Sequence, residues 1–250
     1  LVELYKLYNY NYAKHLFDIT TDFTSNPSDG SVDVVLNNID NAPMHYTLDG
    51  TTPTINSPIY VSALKIKESV NLKAAIFRNQ EAGKIISENI QFSKSTAKPI
   101  TVLGALAGSF QFKGVSTLVD GLSGTKNYKT GRWIGFYQND MNVVIDLGKI
   151  TSIQDAAIST CVEKGDWIFD ARSFSVEVST DGVNFTLVAS ENYPSMQQQD
   201  ANGVFNHKLS FSPVQTRYVK VLAATEKSIP EWHGGKGNPG FLFVDEITLN

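Results

Sequence analysis

The sequence predicts an all-β protein with two β-sandwiches in series and one short helix at its front. Three observations predict it. From Ser31 onward apolar residues recur with a period of two, as in Phe174, Val176 and Val178 against Ser175, Glu177 and Ser179, so each segment has one buried and one wet face. Turn dipeptides such as Asp49-Gly50 and Asp181-Gly182 punctuate these runs. A helical spacing of apolar residues is confined to the first residues of the chain.

Taken in order, Leu1, Leu4, Tyr5, Tyr8, Tyr12 and Leu16 recur at helical spacing, with Glu3, Lys6, Asn9 and Lys14 on other faces. They predict one amphipathic helix of about four turns that caps the next domain. The chain opens inside this pattern, so it reads as a piece of a longer protein. Candidate strands follow at Val32–Leu36, Met44–Leu48, Ile59–Ile66, Val70–Phe77 and Ile85–Phe92, divided by Asp49-Gly50, Pro53, Pro58 and Gly83. Short strands at such spacing argue for a sandwich. Ser93 to Pro99, polar and ended by proline, reads as a linker. Beyond it, Asp181-Gly182 turns the strand at Phe174–Val178 into Phe185–Val188, and the chain closes on Arg217-Tyr-Val-Lys-Val and Val244-Asp-Glu-Ile. The expected boundaries are 1–22 for the helical segment, 23–95 for the first β domain and 96–250 for the second.

A chain of 250 residues suits two modest domains. With 21 basic against 25 acidic residues and no basic stripe, nucleic acid is excluded as a partner. Cys161 is the only cysteine, so no intrachain disulfide or cysteine-rich zinc site can form, and it reads as a small buried hydrophobe. No apolar run approaches the roughly 18 residues of a membrane span. Gly235-Lys-Gly237-Asn-Pro-Gly240 formally fits a dinucleotide fingerprint, but it precedes a strand and Pro239 interrupts it. The Asn184-Phe-Thr186 sequon reads as coincidental. The histidines, at 15, 45, 207 and 233, have no metal or triad spacing.

Leu118-Val-Asp120-Gly121, with Thr130 and Trp133 after it, stands ahead of the period-two strand, the Asp-Gly hairpin, Arg217-Tyr-Val-Lys-Val and the closing strand. This order resembles the discoidin, or coagulation factor C-type, galactose-binding-like domain. The resemblance implies a jelly-roll sandwich over 96–250, with Asp120, Thr130 and Glu246 at a structural calcium site; the loop is longer than usual by Ser123 to Lys129. A hard cation takes about six to eight oxygens, which a tight turn supplies as backbone carbonyls plus one or two carboxylates. Read by themselves, Asp120 is an ordinary Asp-Gly turn and Glu246 an exposed strand residue.

The resemblance also implies that loops at one end of the sandwich hold sugars. Two loops here carry aromatic planes, Trp167, Phe169 and Trp232, and polar donors, Arg172, His233 and Asn238. Sugars present apolar ring faces and hydroxyl edges, which this combination matches. The bland alternatives are that Trp232 and Phe169 fold inward under the glycine-rich loop and that Arg172 pairs with Asp170 or Asp166.

In the first β domain, Tyr46-Thr-Leu-Asp-Gly-Thr-Thr-Pro-Thr54, Ser57-Pro-Ile-Tyr60 and Leu72-Lys-Ala-Ala-Ile-Phe77 resemble the immunoglobulin-like module that follows chitobiase and related catalytic domains. Asn11 to Asp18 looks like the segment that closes the barrel of some bacterial β-N-acetylhexosaminidases. Asp245-Glu246 invites comparison with the catalytic pair of family 20 glycoside hydrolases, yet lacks the His-x-Gly-Gly run before it. Together these resemblances imply a non-catalytic C-terminal region of such an enzyme, extracytoplasmic in a bacterium. Its implied partners are glycans carrying N-acetylhexosamine or galactose-type sugars and the catalytic domain of the same polypeptide. The alternative is a purely structural spacer.

Overall fold

The computed structural model describes residues 1–11 and 13–250. They form two compact units, one made of Leu1–Thr24 with Ser31–Gln91 and the other of Ser25–Gly30 with Phe92–Asn250.

The first unit opens on a helix, α1, that is shorter than its apolar spacing predicts. It spans Val2–Leu7 and ends at Tyr8, and a 3-10 turn follows at Lys14–Phe17. The stop is local: Asn9 adopts φ +52°, a left-handed conformation that asparagine tolerates and that closes a helix. The Tyr10 amide then donates to the Tyr5 carbonyl at 2.9 Å. Leu4 and Tyr8, expected on the buried stripe, are exposed, whereas Val2 is buried. Tyr12 and the side chain of Leu16 lie outside the described residues.

Among the described residues seven strands complete this unit: β1 (Thr20–Asn26), whose last residues belong to the other unit, β2 (Ser31–Asn37), β3 (Met44–Thr47), β4 (Leu64–Ile66), β5 (Val70–Arg78), β6 (Glu81–Ala82) and β7 (Ile86–Ile90). They form two antiparallel sheets, β1-β2-β4 and β3-β5-β6 with β7 also on β5. Val32, Val34, Leu36, Leu72, Ala74 and Ile76 alternate inward and carry the core. The strand expected over Ile59–Ile66 is confined to Leu64–Ile66; Ile59 makes one isolated bridge to His45 and is exposed. Pro58 before it and the exposed Val61 after it leave that stretch without a continuous inward face.

The second unit holds β8 (Ile100–Val102), β9 (Ile134–Tyr137), β10 (Met141–Val162), β11 (Ser173–Ser179), β12 (Thr186–Asn192), β13 (Gly203–Ala224) and β14 (Phe241–Leu249). All pair antiparallel in the order β12-β11-β13-β10-β14-β9, with β8 also on β10. The sheet closes into a sandwich because β10 and β13, 22 residues each, bend where their register shifts between Asp146 and Thr151 and again between Ile153 and Asp155. Gly148, at φ +81°, makes the first break, and Arg217 clamps both Asp146 oxygens there at 2.9 Å. Met141, Val143 and Ile145 from one arm of β10 and Ile153, Ala156 and Ile158 from the other enter one core with Phe174, Val176, Val219, Val221 and Val244. Among the described residues no helix is long and apolar enough to cross a membrane.

Candidate functional site

Two groups of polar residues sit on this scaffold. The first is built on a β-bulge. Between the pairs Ile158 with Ile247 and Thr160 with Val244, Ser159 alone faces both Asp245 and Glu246. The extra residue turns both carboxylates into the protein instead of leaving one outside, as regular alternation would. Asp245 is 1% exposed and accepts from the Ser159 hydroxyl and from the Gly124 amide. Glu246, 9% exposed, meets the turn at Asp120-Gly121, where Gly121 takes φ +75° and its amide donates to Glu246 Oε2 at 3.1 Å. Asp120, also buried, accepts the Leu122 amide at 2.9 Å. Glu246 is therefore buried, not an exposed strand residue.

Burial pushes the Asp120 carboxyl up to about 7, and the neighbouring Asp245 charge adds to the rise. Burial, then the charges of Asp120 and Asp245, raise Glu246 well above the carboxylate range. Burial takes Asp245 to about 6. Glu246 Oε1 is a buried acceptor with no hydrogen bond. Crowded carboxylates and an orphan acceptor cost free energy unless a cation meets them, so the donor set fits a hard divalent ion. Among the described residues no three His, Cys, Asp or Glu groups converge as ligands. Such an ion would use two carboxylates and complete its shell with carbonyl oxygens.

Thr130, the remaining residue of the implied metal set, stands exposed on a 3-10 turn at Tyr128–Thr130. The long Ser123–Lys129 segment is anchored from within. The Trp133 indole donates to the Thr125 carbonyl at 3.0 Å, and a Cβ on Gly124 would lie 2.3 Å from that ring, so the close approach requires glycine.

The second group comprises the six residues expected to hold sugar, and the structure uses most of them internally. Phe169 is 1% exposed, packed against Trp232 and His233, and cannot present a ring face to a ligand. It belongs to a small cluster with Val162, Met196 and Ile229, on which Trp167 and Trp232 also pack. Both tryptophans are half-buried at this one end of the unit. Trp167 adopts φ +64°, which costs a bulky residue strain and needs support. Gly235 supplies it by backbone contact, since a Cβ there would fall 2.7 Å from the indole.

His233 has no free ring nitrogen: Nδ1 accepts the Gly235 amide at 2.9 Å, so Nε2 carries the proton and donates to the Lys164 carbonyl at 2.8 Å. Arg172 pairs with neither Asp170 nor Asp166. It donates to Glu226 at 2.7 Å, to the Tyr193 carbonyl at 3.1 Å and to the Ser195 hydroxyl. Asn238 is exposed and donates to the Gly235 carbonyl at 3.1 Å.

These contacts share a target, the segment 193–202. Arg172 holds Tyr193 and Ser195, the Trp232 indole donates to the Met196 carbonyl at 3.1 Å, and Lys164 donates to the carbonyls of Gln197, Gln198 and Asp200. So fastened, the segment walls a concavity of about 350 Å3, whose lining includes Asp170, Tyr193, Met196, Asp200, Phe205 and His207. Tyr193 and His207 pack with ring centroids 4.5 Å apart, and His207 Nε2 lies 2.8 Å from Asp170 Oδ1.

Sequence reasoning missed Tyr193, Phe205, His207 and Asp170. One signal was available: Phe205, His207 and Leu209 occupy alternate positions of β13, so the face that carries the core at Leu209 continues outward as two half-buried rings.

A family model described as F5/8 type C domain matches residues 104–239, and one described as Fn3 associated matches residues 34–90. No curated protein matches. Among solved structures, chitosan-binding module 1 of a chitosanase/glucanase from Paenibacillus sp. IK-5 is 16% identical with a TM-score of 0.41, covering 64% of this chain and 99% of that one. A fucose binding module from Streptococcus pneumoniae is 18% identical with a TM-score of 0.41, covering 69% of this chain and 97% of that one. A Clostridium perfringens module solved with GalNAc-beta-1,3-galactose is 15% identical with a TM-score of 0.39, covering 60% of this chain and 93% of that one.

Proposed function

The chain belongs to the F5/8 type C domain family, and on that premise we propose that its second unit is a non-catalytic carbohydrate-binding module that seats a glycan in the concavity walled by Tyr193, Phe205 and His207. The observation that carries this reading is the concavity itself. At about 350 Å3 it falls at the small end of ligand pockets, which run to about 300–1,000 Å3. It joins aromatic side chains to polar groups, the pairing that sugar rings and hydroxyls require. Arg172 and Trp232 act in it as positioning residues, fastening the wall from behind. A single open site of this size binds weakly, with Kd in the millimolar to high micromolar range, about 4 to 6 kcal/mol. Titration of the chain with N-acetylhexosamine and galactose-type oligosaccharides tests the reading. Tyr193→Ala and Phe205→Ala, assayed as folded protein at a temperature below their melts, should abolish binding; retained binding in both variants would refute the seat.

Asp120 and Glu246 would hold a calcium ion, with Thr130 the third residue that the family resemblance implies for it. The ion would supply positive charge to the buried carboxylates and so stabilise the bulge of β14 against the Asp120 turn. Ser159, Gly124 and Gly121 hold the carboxylate oxygens through the donors already described.

At the level of the whole polypeptide, the reading is an accessory region of an extracytoplasmic β-N-acetylhexosaminidase of the chitobiase kind. It would hold the catalytic domain near glycans by raising their effective concentration. The sequence resemblances at 11–18 and 46–77 support this reading, and co-purification of a catalytic domain encoded in the same polypeptide tests it.

A further inference from the structure

The lining of the concavity holds two carboxylates and one imidazole, which faces Asp170 at 2.8 Å and leaves Asp200 without a basic side chain among the walls. Among the described residues Asp170 and Asp200 both line it, no lysine or arginine does, and His207 is the one base among its walls. The cations on flanking elements are committed elsewhere: Arg172 to Glu226 at 2.7 Å, and Lys164 to the carbonyls of Gln197, Gln198 and Asp200. Glu191, next to the site, accepts the Tyr193 hydroxyl at 3.1 Å and adds to the negative side.

Asp170 Oδ1 accepts from Thr160 at 2.6 Å, from the Ala171 amide at 2.8 Å and from His207 at 2.8 Å. Burial opposes its charge, but the hydrogen bond and charge of His207, with the hydrogen bonds from Thr160 and the Ala171 amide, outweigh burial and hold the carboxyl below the ordinary carboxylate range. It is an anion at neutral pH. All three bonds converge on Oδ1 and none goes to Oδ2. Asp200 repeats the arrangement: its Oδ2 accepts the Gln197 amide at 2.7 Å, and Oδ1 takes no part in that bond. Each lining carboxylate thus keeps one oxygen outside the bonds that hold it in place.

The remaining walls point to the same ligand. Tyr193 and Phe205 line it with aromatic rings, whose quadrupole attracts a cation. An ammonium group therefore gains from the carboxylates through charge-assisted hydrogen bonds and from the rings through cation–π contact. An N-acetyl amide gains only neutral hydrogen bonds, and a carboxylate or sulfate on the sugar meets like charge.

We propose that the concavity selects hexosamines carrying a free ammonium group over their N-acetylated forms and over acidic sugars. This rests on the glycan reading above and narrows its substrate class. The test titrates the full chain, by calorimetry in one buffer below neutral pH, with glucosamine oligomers, N-acetylglucosamine oligomers and oligouronates. The deacetylated oligomer should bind about tenfold more tightly than the acetylated one, given that charge-assisted bonds are roughly twice as strong as neutral ones. The margin should shrink as salt is raised. Asp200→Asn, at an exposed position, should reduce the margin without lowering the melting temperature, and Asp170→Asn should reduce it further. Equal or tighter binding of the acetylated or acidic oligomer overturns the selectivity and leaves the glycan reading standing, as does a margin unchanged in both variants. Binding of none of the three overturns both.

Discussion

In chelator, the stability of the second unit should fall as pH rises. The Asp120 carboxyl has an ordinary value of 3.8 and is pushed by burial to about 7 in the folded protein. A folded value above the unfolded one means that the folded state holds the proton more tightly. The associated stability is fully present below the unfolded value and is lost as pH rises through the folded value. At about 1.36 kcal/mol per pH unit, some three units make about 4 kcal/mol of stability lost by about pH 8 for this group alone. Glu246 and Asp245 shift in the same direction but are coupled to Asp120, so their shares do not simply add. Of this, about two units, or about 2.7 kcal/mol, fall between about pH 5 and about pH 8; for a unit of this size 1 kcal/mol moves the melting temperature by about 2–4 °C, so the fall across that window is roughly 5–10 °C.

Calcium at the proposed site would oppose it, since a ligand at about a hundredfold excess over Kd contributes about 2.7 kcal/mol. Scanning calorimetry at about pH 5 and about pH 8, in chelator and in calcium, reads both effects. Asp146, held below the usual carboxylate range by the Arg217 guanidinium, loses its contribution only on the acid side of this window and does not interfere. Asp120→Asn should stabilise the chelated protein at about pH 8 and abolish its calcium response. A pH dependence identical in chelator and in calcium would refute the reasoning, as would an Asp120→Asn protein that still responds to the ion.

Three further outcomes are expected. Phe169→Ala should destabilise the second unit by about 3–5 kcal/mol in urea unfolding, the cost of deleting a core aromatic, whereas an exposed platform residue would cost far less. Arg172→Ala strands Glu226, whose side chain is 4% exposed, and should cost about 2–3 kcal/mol, at the low end for a broken buried pair because Arg172 itself is 33% exposed; Glu226→Gln should be milder, and equal effects would contradict the stranded charge. Purified chain incubated with an aryl N-acetylglucosaminide should show the buffer rate, and an enzyme-dependent rate abolished by one substitution would overturn the non-catalytic reading.

Local chemistry made much of the architecture readable. Phe174, Val176 and Val178 alternate, and they are buried. Asp181-Gly182 turns β11 into β12, with Gly182 at φ +76° and Asp181 Oδ1 accepting the Val183 and Asn184 amides at 2.8 Å. These features depend on neighbours a few residues away, so the sequence by itself determined them. The helix was overread because apolar spacing reports what a helix could bury and is blind to a stop such as Asn9.

What a polar or aromatic side chain is free to do was decided by tertiary structure. Arg172 meets Glu226 across 54 residues of chain, Trp232 meets Met196 across 36, and His233 meets Lys164 across 69. Residue type alone offered Arg172, His233 and Phe169 as ligands for a sugar, and these distant partners made them parts of the frame. The concavity exists only because β13 carries Phe205 and His207 past the end of the core and the 193–202 segment folds over them. The same holds for the carboxylates, where one extra residue in β14 opposite Ser159 brings Asp245 and Glu246 inside. A strand's period is written in its own residues, but a bulge and a cavity are set by which strands pair and in what register, which is why they appeared only in the folded protein.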